Sequence, residues 1–398
     1  MINTFKVNWS SRSHNFTAIE KKAVIEVMSR ADPLTQGKYL QKFENDFKRY
    51  IGTEGKVFGV TSGASAIELA AASLNLKPTD EVIIPAHTYC ASALPFTRYK
   101  ASIKWVDIDL DTMTISQQHL KKLISKKTKA IIAVHLYGLP SNILEIKKII
   151  KDKKILLIED CAQALGAKIK NKKVGTFGDF AVFSLHAQKN ITTLGEGGVL
   201  VVNNKKYEKF IPGLRHNGHR DFKKKKNYWQ PAMVDVCEDI QGITPFNFPM
   251  TEVQANLGSH LIKRIDKLNS KRINRAKKFI KSMKAYHFLK FQKNIKNFKN
   301  VYHLLPARIV KEGLNFDRDK FISIISKKFG IKVVVQFYPL YRYDFFKKYN
   351  KKKISLKNTD LFFDNMISFP FHEWMSENDF NYMIKSTHET IKYLLKSK

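Results

Sequence analysis

Cysteine is scarce in this chain of 398 residues, which contains only Cys90, Cys161 and Cys237. Their number is odd and no two are separated by two residues, which argues against a disulfide framework and a structural zinc site. Long apolar runs are also absent, so we expect no membrane-spanning helix, and the polar start at 1–15 lacks the apolar stretch of a secretory signal. These absences predict a protein of the reducing cytoplasm that holds no metal.

Acidic residues are few: the chain has 35 of them and 70 lysines and arginines, which gives a net charge of +35. Such an excess suits a protein that binds nucleic acid or an anionic membrane. The alternative is lysine enrichment of solvated faces, which we favour because lysine far outnumbers arginine and is scattered from Lys21 to Lys398. Base-reading proteins rely on arginine forks. We therefore expect no nucleic-acid partner, but a positive field that attracts anionic substrates.

Short apolar, β-branched segments alternate with helical patterns over the first 205 residues. Near-continuous apolar strands separated by helices indicate an α/β fold with a mostly parallel sheet covered on both faces. Ligands bind beyond the carboxyl ends of such strands, so we expect the site in the loops 61–65, 85–89, 159–163 and 184–198. The predicted strands are 56–60, 81–84, 103–106, 130–136, 155–158, 180–184 and 199–202, with a helix at 67–74.

The pattern changes after about residue 250, where we predict a smaller C-terminal α+β domain. Its predicted helices are 251–268 and 272–286, and its predicted strands are 301–309 and 332–338. We accordingly divide the chain into a large domain, 1–248, with an N-terminal arm, and a small domain, 249–398. A long loop at 214–245 is rich in lysine, glycine and aromatic residues. Its lysine run 223–226 either approaches a nucleotide pyrophosphate or is a solvated surface.

Three short segments carry chemistry. Residues 183–193 read Phe-Ser-Leu-His-Ala-Gln-Lys-Asn-Ile-Thr-Thr, with Gly-Glu-Gly-Gly at 195–198, and residues 159–167 read Glu-Asp-Cys-Ala-Gln-Ala-Leu-Gly-Ala after an apolar strand. Residues 61–65, Thr-Ser-Gly-Ala-Ser, form a turn of small residues into a helix, which presents free N–H groups to a phosphate. Taken singly, these segments could hold a surface lysine, a helix N-cap aspartate and an ordinary helix start.

In this order the segments resemble the DegT/DnrJ/StrS family of sugar aminotransferases, whose pattern is S-F-H-x-x-K-x-x-T-T followed by G-E-G-G. Leu185 replaces a phenylalanine, and Leu194 is an extra residue before the glycines. The resemblance covers nearly the whole chain and implies the pyridoxal-phosphate (PLP)-dependent transferase fold of aspartate aminotransferase. It also implies that Lys189 bonds covalently to PLP, because this chemistry needs an amine that condenses with the aldehyde and, once released, carries protons.

The resemblance assigns further residues to the cofactor ring. Asp160 would pair with the pyridine nitrogen and keep the ring protonated, so that the ring can absorb electrons. Gln163 would lie near the ring hydroxyl. Residues 85–93, Pro-Ala-His-Thr-Tyr-Cys-Ala-Ser-Ala, are similar to the family's P-x-x-T-F-x-A-T-A, whose aromatic residue stacks on the ring. Tyr89 is therefore the stacking candidate, with a core tyrosine as the alternative.

The cofactor phosphate would be held by Gly63, Ala64, Ser65 and Ser184, although Ala64 stands where the family often has a threonine. Asn247 lies in a segment similar to G-x-N-x-R-M-x-E, whose asparagine reaches the phosphate in the partner subunit's site. Here prolines stand in place of that glycine and arginine. This similarity implies a homodimer with shared active sites.

The implied activity is transfer of an amino group, from glutamate, to a keto group at carbon 3 or 4 of a dTDP-, UDP- or GDP-linked deoxyhexose. The product would serve surface polysaccharides such as lipopolysaccharide, or glycosides. One alternative is a PLP-dependent nucleotide-sugar dehydratase of the same fold, in which a histidine replaces the lysine, so Lys189 counts against it. Another is a non-catalytic regulatory relative, against which Lys189, Asp160 and Gln163 argue together.

Overall fold

The computed structural model describes residues 4–12, 14–220, 227, 229, 235–349 and 354–396, and the lysine run 223–226 lies outside them. Within these residues the strands are β1 (Lys56–Val60), β2 (Glu81–Pro85), β3 (Ser102–Val106), β4 (Thr128–Val134), β5 (Leu156–Asp160), β6 (Lys168–Ile169), β7 (Lys172–Lys173), β8 (Phe180–Ser184), β9 (Gly198–Val202), β10 (His219–Arg220), β11 (Asp235–Val236), β12 (Leu289–Phe291), β13 (Phe298–Lys299), β14 (Leu305–Ile309) and β15 (Met366–Phe369). The α-helices are α1 (Ala18–Arg30), α2 (Lys38–Ile51), α3 (Gly63–Ser73), α4 (Leu94–Arg98), α5 (Gln117–Leu123), α6 (Ile143–Ile149), α7 (Lys205–Glu208), α8 (Ile211–Arg215), α9 (Glu252–Ile262), α10 (Ile265–Ser282), α11 (Arg318–Phe329), α12 (Asp344–Lys347), α13 (Lys357–Asn365) and α14 (Glu377–Lys396).

The central sheet has the strand order β1-β9-β8-β5-β4-β2-β3. Strands β8, β5, β4, β2 and β3 pair in parallel, while β9 runs antiparallel to both of its neighbours. The predicted α/β fold with a mostly parallel sheet is therefore confirmed. Strand β4 ends at Val134, two residues earlier than predicted, because 136–138 turns away with Tyr137 in the left-handed conformation (φ 61°).

Alternate residues of the central sheet enter two separate apolar cores. Ile132 and Val182 pack on the face that carries α3. Ile131 and Ala181 pack on the opposite face, against α2 and α9. Burial on both faces explains why these strands read as near-continuous apolar runs instead of alternating with polar residues.

The helices that follow residue 250 differ from the prediction. The chain turns at 263–264, between α9 and α10, and not between 268 and 272. At this turn the Arg264 guanidinium reaches back to the buried carboxylate of Glu20 on α1, a contact between residues far apart in sequence. Helix α10 then runs without a break to Ser282.

A second sheet, antiparallel with the order β12-β14-β15, has its own core with α11 and α14. The predicted strand 301–309 begins only at Leu305, because Val301 N–H donates to Gly138 O (3.1 Å) and Tyr302 is left-handed (φ 46°). The predicted strand 332–338 was wrong: only Val334 pairs, with Ser368.

The N-terminal arm crosses to this second region, where Val7 hydrogen-bonds with Gly330 and Lys332, both at 3.0 Å. The division after residue 248 stays a prediction, and α9 buries Ala255 and Leu257 in the core of the central sheet. The three cysteines carry free thiols. Among the described helices, none combines the length and the apolar character that a membrane span requires.

Candidate active site

A cavity of about 480 Å³ lies beyond the carboxyl ends of the parallel strands, a size typical of small-molecule sites. Strand ends of the central sheet, the N-terminal arm and the short segments 303–304, 336–337 and 371–372 contribute to its wall. The predicted residues that line it are Gly63, Ala64, Tyr89, Asp160, Gln163, Ser184 and Lys189. Lining residues that we had not predicted include Trp9, Arg12, Ser62, Ser92, Glu196, Arg272, His303, Phe337, Phe371 and His372.

Asp160 is buried at the end of β5 and is held by two hydrogen bonds. Ser92 Oγ donates to its Oδ2 (2.7 Å), and Ala162 N–H donates to its Oδ1 (3.1 Å). Because the Ser92 hydrogen is used in this way, Thr88 Oγ1 donates in turn to Ser92 Oγ (3.0 Å). The carboxylate is therefore fixed in orientation at the wall of the cavity. Ser92 lies within the motif at 85–93, but the resemblance assigned no role to this serine.

Lys189 follows β8 in the loop to β9, where its N–H donates to His186 O (2.9 Å). Burial lowers the pKa of Lys189, and the negative charges of Asp160 and Glu196 act in the opposite direction. A lowered pKa increases the fraction of neutral amine, which is the form that attacks a carbonyl group. The side chain borders the same cavity as Asp160.

The start of α3 opens into the cavity. Ser62 caps this helix, and its Oγ accepts from Ser65 N–H (3.0 Å). Gly63 and Ala64 line the cavity, and no group of the described residues accepts from their N–H groups. Free amides at a helix start favour a phosphate.

The predicted phosphate contact of Ser65 does not fit this geometry. Its N–H is taken by Ser62, its hydroxyl lies 2.6 Å from Thr61 Oγ1 and 2.8 Å from Ser62 Oγ, and it does not line the cavity. The side chain at this third helical position turns back onto the cap. Ser62, unlike Ser65, lines the cavity.

The final glycine of the Gly-Glu-Gly-Gly motif allows two backbones to approach closely. A Cβ atom on Gly198 would lie 2.2 Å from the backbone carbon of Ser62, and one on Gly63 would lie 2.9 Å from Ser184 Cβ. Glycine at 198 therefore lets the start of β9 pass close to Ser62, and glycine at 63 lets the end of β8 approach the start of α3. The extra residue of the loop, Leu194, takes the left-handed conformation (φ 64°) and is half exposed.

Of the remaining predicted residues, Gln163 and Tyr89 line the cavity and Asn247 does not. Gln163 Oε1 accepts from Tyr137 N–H (2.7 Å), which leaves its amide nitrogen as a donor. Tyr89 lines the cavity, is 56% exposed and meets the ring of Phe337 edge-on at 6.0 Å. Asn247, in contrast, is exposed and does not line the cavity of its own chain. Its contact with a partner subunit stays a prediction.

A buried cluster behind the site could be mistaken for a metal centre, because ligand atoms of His135, Glu159 and Cys161 lie within 4.8 Å of one another. Both carboxylate oxygens of Glu159 are already used by His135 Nε2 and by the N–H groups of Gly175, Phe177 and Gly178. His135 Nδ1 accepts in turn from a backbone N–H. The cluster therefore serves the fold.

The groups around the cavity fit PLP. Free amides at the start of α3 suit its phosphate, the oriented carboxylate of Asp160 suits its ring nitrogen, and the amine of Lys189 suits its aldehyde. All three border one space. Ser62, Ser92 and Glu196 lie within the motif segments 61–65, 85–93 and 195–198, but the resemblance assigns them no role. The other unpredicted wall residues named above lie outside these motifs.

Comparison with known proteins agrees with this chemistry. The model of the DegT/DnrJ/EryC1/StrS aminotransferase family matches residues 16–388. The chain is 32% identical over 346 residues to GDP-perosamine synthase of Escherichia coli O157:H7, which covers 86% of this chain and 88% of that protein. It is 31% identical over 295 residues to GDP-4-keto-6-deoxy-D-mannose 3-dehydratase of Escherichia coli O55:H7, which covers 72% and 75%.

Among solved structures, Helicobacter pylori PseC, an aminotransferase involved in the biosynthesis of pseudoaminic acid, is similar over 97% of this chain and 99% of its own. The TM-score is 0.87 and the sequence identity is 25%. The predicted PLP-dependent transferase fold is thereby confirmed. Since the family model spans almost the whole chain, this protein belongs to the DegT/DnrJ/EryC1/StrS aminotransferase family.

Proposed function

We propose that this protein transfers an amino group from glutamate to a keto group of a nucleotide-linked deoxyhexose, with PLP as its cofactor. The observation that carries the proposal is the placement of Lys189, Asp160 and the start of α3 around one cavity. The nucleotide-sugar substrate is supported by the name of the relative GDP-perosamine synthase. The strongly positive chain would also attract a doubly charged sugar nucleotide.

When bound, PLP supplies an aldehyde that exchanges its amine partner and a protonated ring that holds electrons. Asp160 would accept the ring N–H, and its two hydrogen bonds keep the carboxylate aimed at that atom. The amides of Gly63 and Ala64 would hold the phosphate. Lys189 Nζ would remove a proton from the α carbon of the amino donor and place it on the cofactor carbon, then reverse these steps for the sugar.

The dehydratase alternative is not favoured. One relative bears that name, but dehydratases of this fold have, by the resemblance, a histidine at the position of Lys189. Transamination needs an amine that bonds to the cofactor and is then released as a proton carrier. Lys189 meets both needs.

The same proposal includes the assembly and the setting of the enzyme. A homodimer is supported by the exposed position of Asn247, which does not line the cavity of its own chain. We place the enzyme in the cytoplasm, where sugar nucleotides are made. Its product would enter the synthesis of surface polysaccharides such as lipopolysaccharide, or of glycosides.

The proposal is tested with a panel of dTDP-, UDP- and GDP-linked sugars that carry a keto group at carbon 3 or 4. Each is incubated with the PLP-loaded enzyme and glutamate, and the products are identified by mass spectrometry. We expect one sugar to gain an amino group while glutamate becomes 2-oxoglutarate. Loss of a hydroxyl without gain of nitrogen would instead identify a dehydratase. If neither change occurs with any sugar or amino donor, the proposal is wrong.

A further inference from the structure

A chain of buried hydrogen bonds joins Lys189's neighbour in sequence, Asn190, to the far side of the cavity. Asn269 Nδ2 donates to Leu165 O (2.9 Å), Asn190 Nδ2 donates to Asn269 Oδ1 (2.8 Å), and His303 Nδ1 lies 3.0 Å from Asn190 Oδ1. The three side chains are at most 4% exposed. Three distant segments therefore meet in one line of polar groups.

The direction of every bond in this line is forced by its first member. A backbone carbonyl can only accept, so Asn269 must present Nδ2 to Leu165 and Oδ1 to Asn190. Asn190 must then present Nδ2 to Asn269 and Oδ1 to His303. Since an amide oxygen also only accepts, His303 must carry its hydrogen on Nδ1.

His303 therefore has a fixed tautomer with a lone pair on Nε2. Burial lowers its pKa well below the ordinary value, and the positive charges of Lys189 and Arg272 lower it further, so the ring stays neutral. Arg272 also fixes the backbone, because its Nη1 donates to His303 O (3.1 Å). His303 borders the cavity, and no hydrogen bond among the described residues uses Nε2.

We propose that His303 Nε2 accepts a hydrogen bond from a hydroxyl group of the keto sugar and so positions the amino acceptor. This inference rests on the proposed function. A fixed lone pair needs an O–H or N–H partner. Apart from the amino group that is transferred, the reacting carbon of an amino acid carries a carboxylate and an alkyl group, which have no hydrogen to donate. In the keto sugars proposed here, at least one carbon beside the keto group carries a hydroxyl.

The two half-reactions separate these substrates, and each can be followed by the absorbance of the cofactor. The variant His303→Asn keeps an amide N–H for Asn190 but has no group at the position of Nε2. We expect the half-reaction with the amino donor to keep its rate within about twofold, and the half-reaction with the keto sugar to slow about tenfold, the effect of one hydrogen bond. His287→Asn, on an exposed turn, is the control and should change neither.

A sugar that lacks the contacted hydroxyl should react equally well with the wild type and with His303→Asn. If the variant slows both half-reactions alike, or slows only the one with the amino donor, the inference is wrong. If the wild type itself converts neither substrate, the proposed function fails first, and the two failures are thereby distinguished.

A second measurement does not depend on activity. A long-range proton–nitrogen NMR spectrum of the cofactor-free protein gives the tautomer of each histidine, and comparison with His303→Asn assigns the signal. We expect a neutral ring protonated on Nδ1 at about pH 6 to 8, the range in which an ordinary histidine titrates. A hydrogen on Nε2, or a ring that titrates normally in this range, would overturn the inference.

Discussion

Two consecutive carboxylates at the end of β5, Glu159 and Asp160, have different roles. Successive side chains of a strand point to opposite faces, so Glu159 enters the packed side of the sheet and Asp160 the cavity side. Glu159 is fully buried and accepts four hydrogen bonds. Asp160 accepts two and borders the cavity with Lys189.

The difference shows how to tell a structural carboxylate from a functional one. Burial alone would raise the pKa of Glu159, but the hydrogen bonds from His135, Gly175 and Gly178 hold it below its ordinary value. Every lone pair that could bind a ligand is committed. Asp160 keeps capacity on the side where a ligand would lie. We expect the packed face to control stability and the cavity face to control activity.

The largest effect expected on the cavity face is that of Lys189→Ala. Turnover should fall below detection, because no other amine replaces its bond to the cofactor or its proton transfer, while the unfolding transition should stay close to that of the wild type. Borohydride reduction of the PLP-loaded wild type followed by peptide mapping should tag Lys189. Lys205→Ala, on an exposed helix, is the control. A tag on another lysine would refute the assignment.

Asp160→Asn is expected to have the next largest effect. It keeps the shape of the side chain but removes the charge that holds the ring proton, so the rate should fall by orders of magnitude while PLP content falls less. Steady-state rates and cofactor content measured on the same preparation give both quantities. Turnover within about threefold of the wild type would mean that Asp160 only orders the loop after β5.

Glu159→Gln tests the packed face. The variant should lose about 3 kcal/mol of the free energy of unfolding, because an amide cannot accept from His135 and three N–H groups at once. Denaturant titration measures this loss, with the exposed Glu312→Gln as control. The comparison between the two faces breaks down if this variant keeps its stability.

The pH dependence of stability sharpens the same contrast. The folded-state pKa of Glu159 is depressed, so its contribution is complete above the unfolded pKa of about 4.3 and is lost as the pH falls through the folded value. The difference in unfolding free energy between the wild type and Glu159→Gln should thus be constant near neutral pH and shrink in acid. A difference that grows as the pH falls would contradict the sign of this shift.

The smallest effect is expected for Asn247, which tests whether each subunit completes the cavity of its partner. Asn247→Ala should weaken PLP retention by about 1.5–3 kcal/mol, the value of one hydrogen bond to a charged group, without dissociating a dimer. Mixing chains with Lys189→Ala and chains with Asn247→Ala should restore activity above both parents, since one site of a mixed dimer carries neither defect. If no activity returns on mixing, despite proven subunit exchange and defective parents, Asn247 acts in its own chain or not at all.

The sequence alone was sufficient to predict the central sheet and the motif residues that line the cavity. Apolar strands buried on both faces leave a strong local pattern, and strand 180–184 was predicted with its observed bounds. It was less successful after residue 250. There, Arg264 at the turn pairs with Glu20, and only Val334 of the predicted strand 332–338 pairs, with Ser368. Local periodicity does not encode contacts between residues so far apart in the chain.

Tertiary structure decided which neighbouring residue faces the cavity and which distant residues join it. The sequence could not separate Ser62 from Ser65, because only the fold determines that Ser62 lines the cavity and Ser65 does not. Nor could it indicate His303, since its tautomer depends on Asn190 and Asn269, which packing brings together from three segments. The identity of reactive groups is a local property, whereas their orientation and charge state arise from long-range packing.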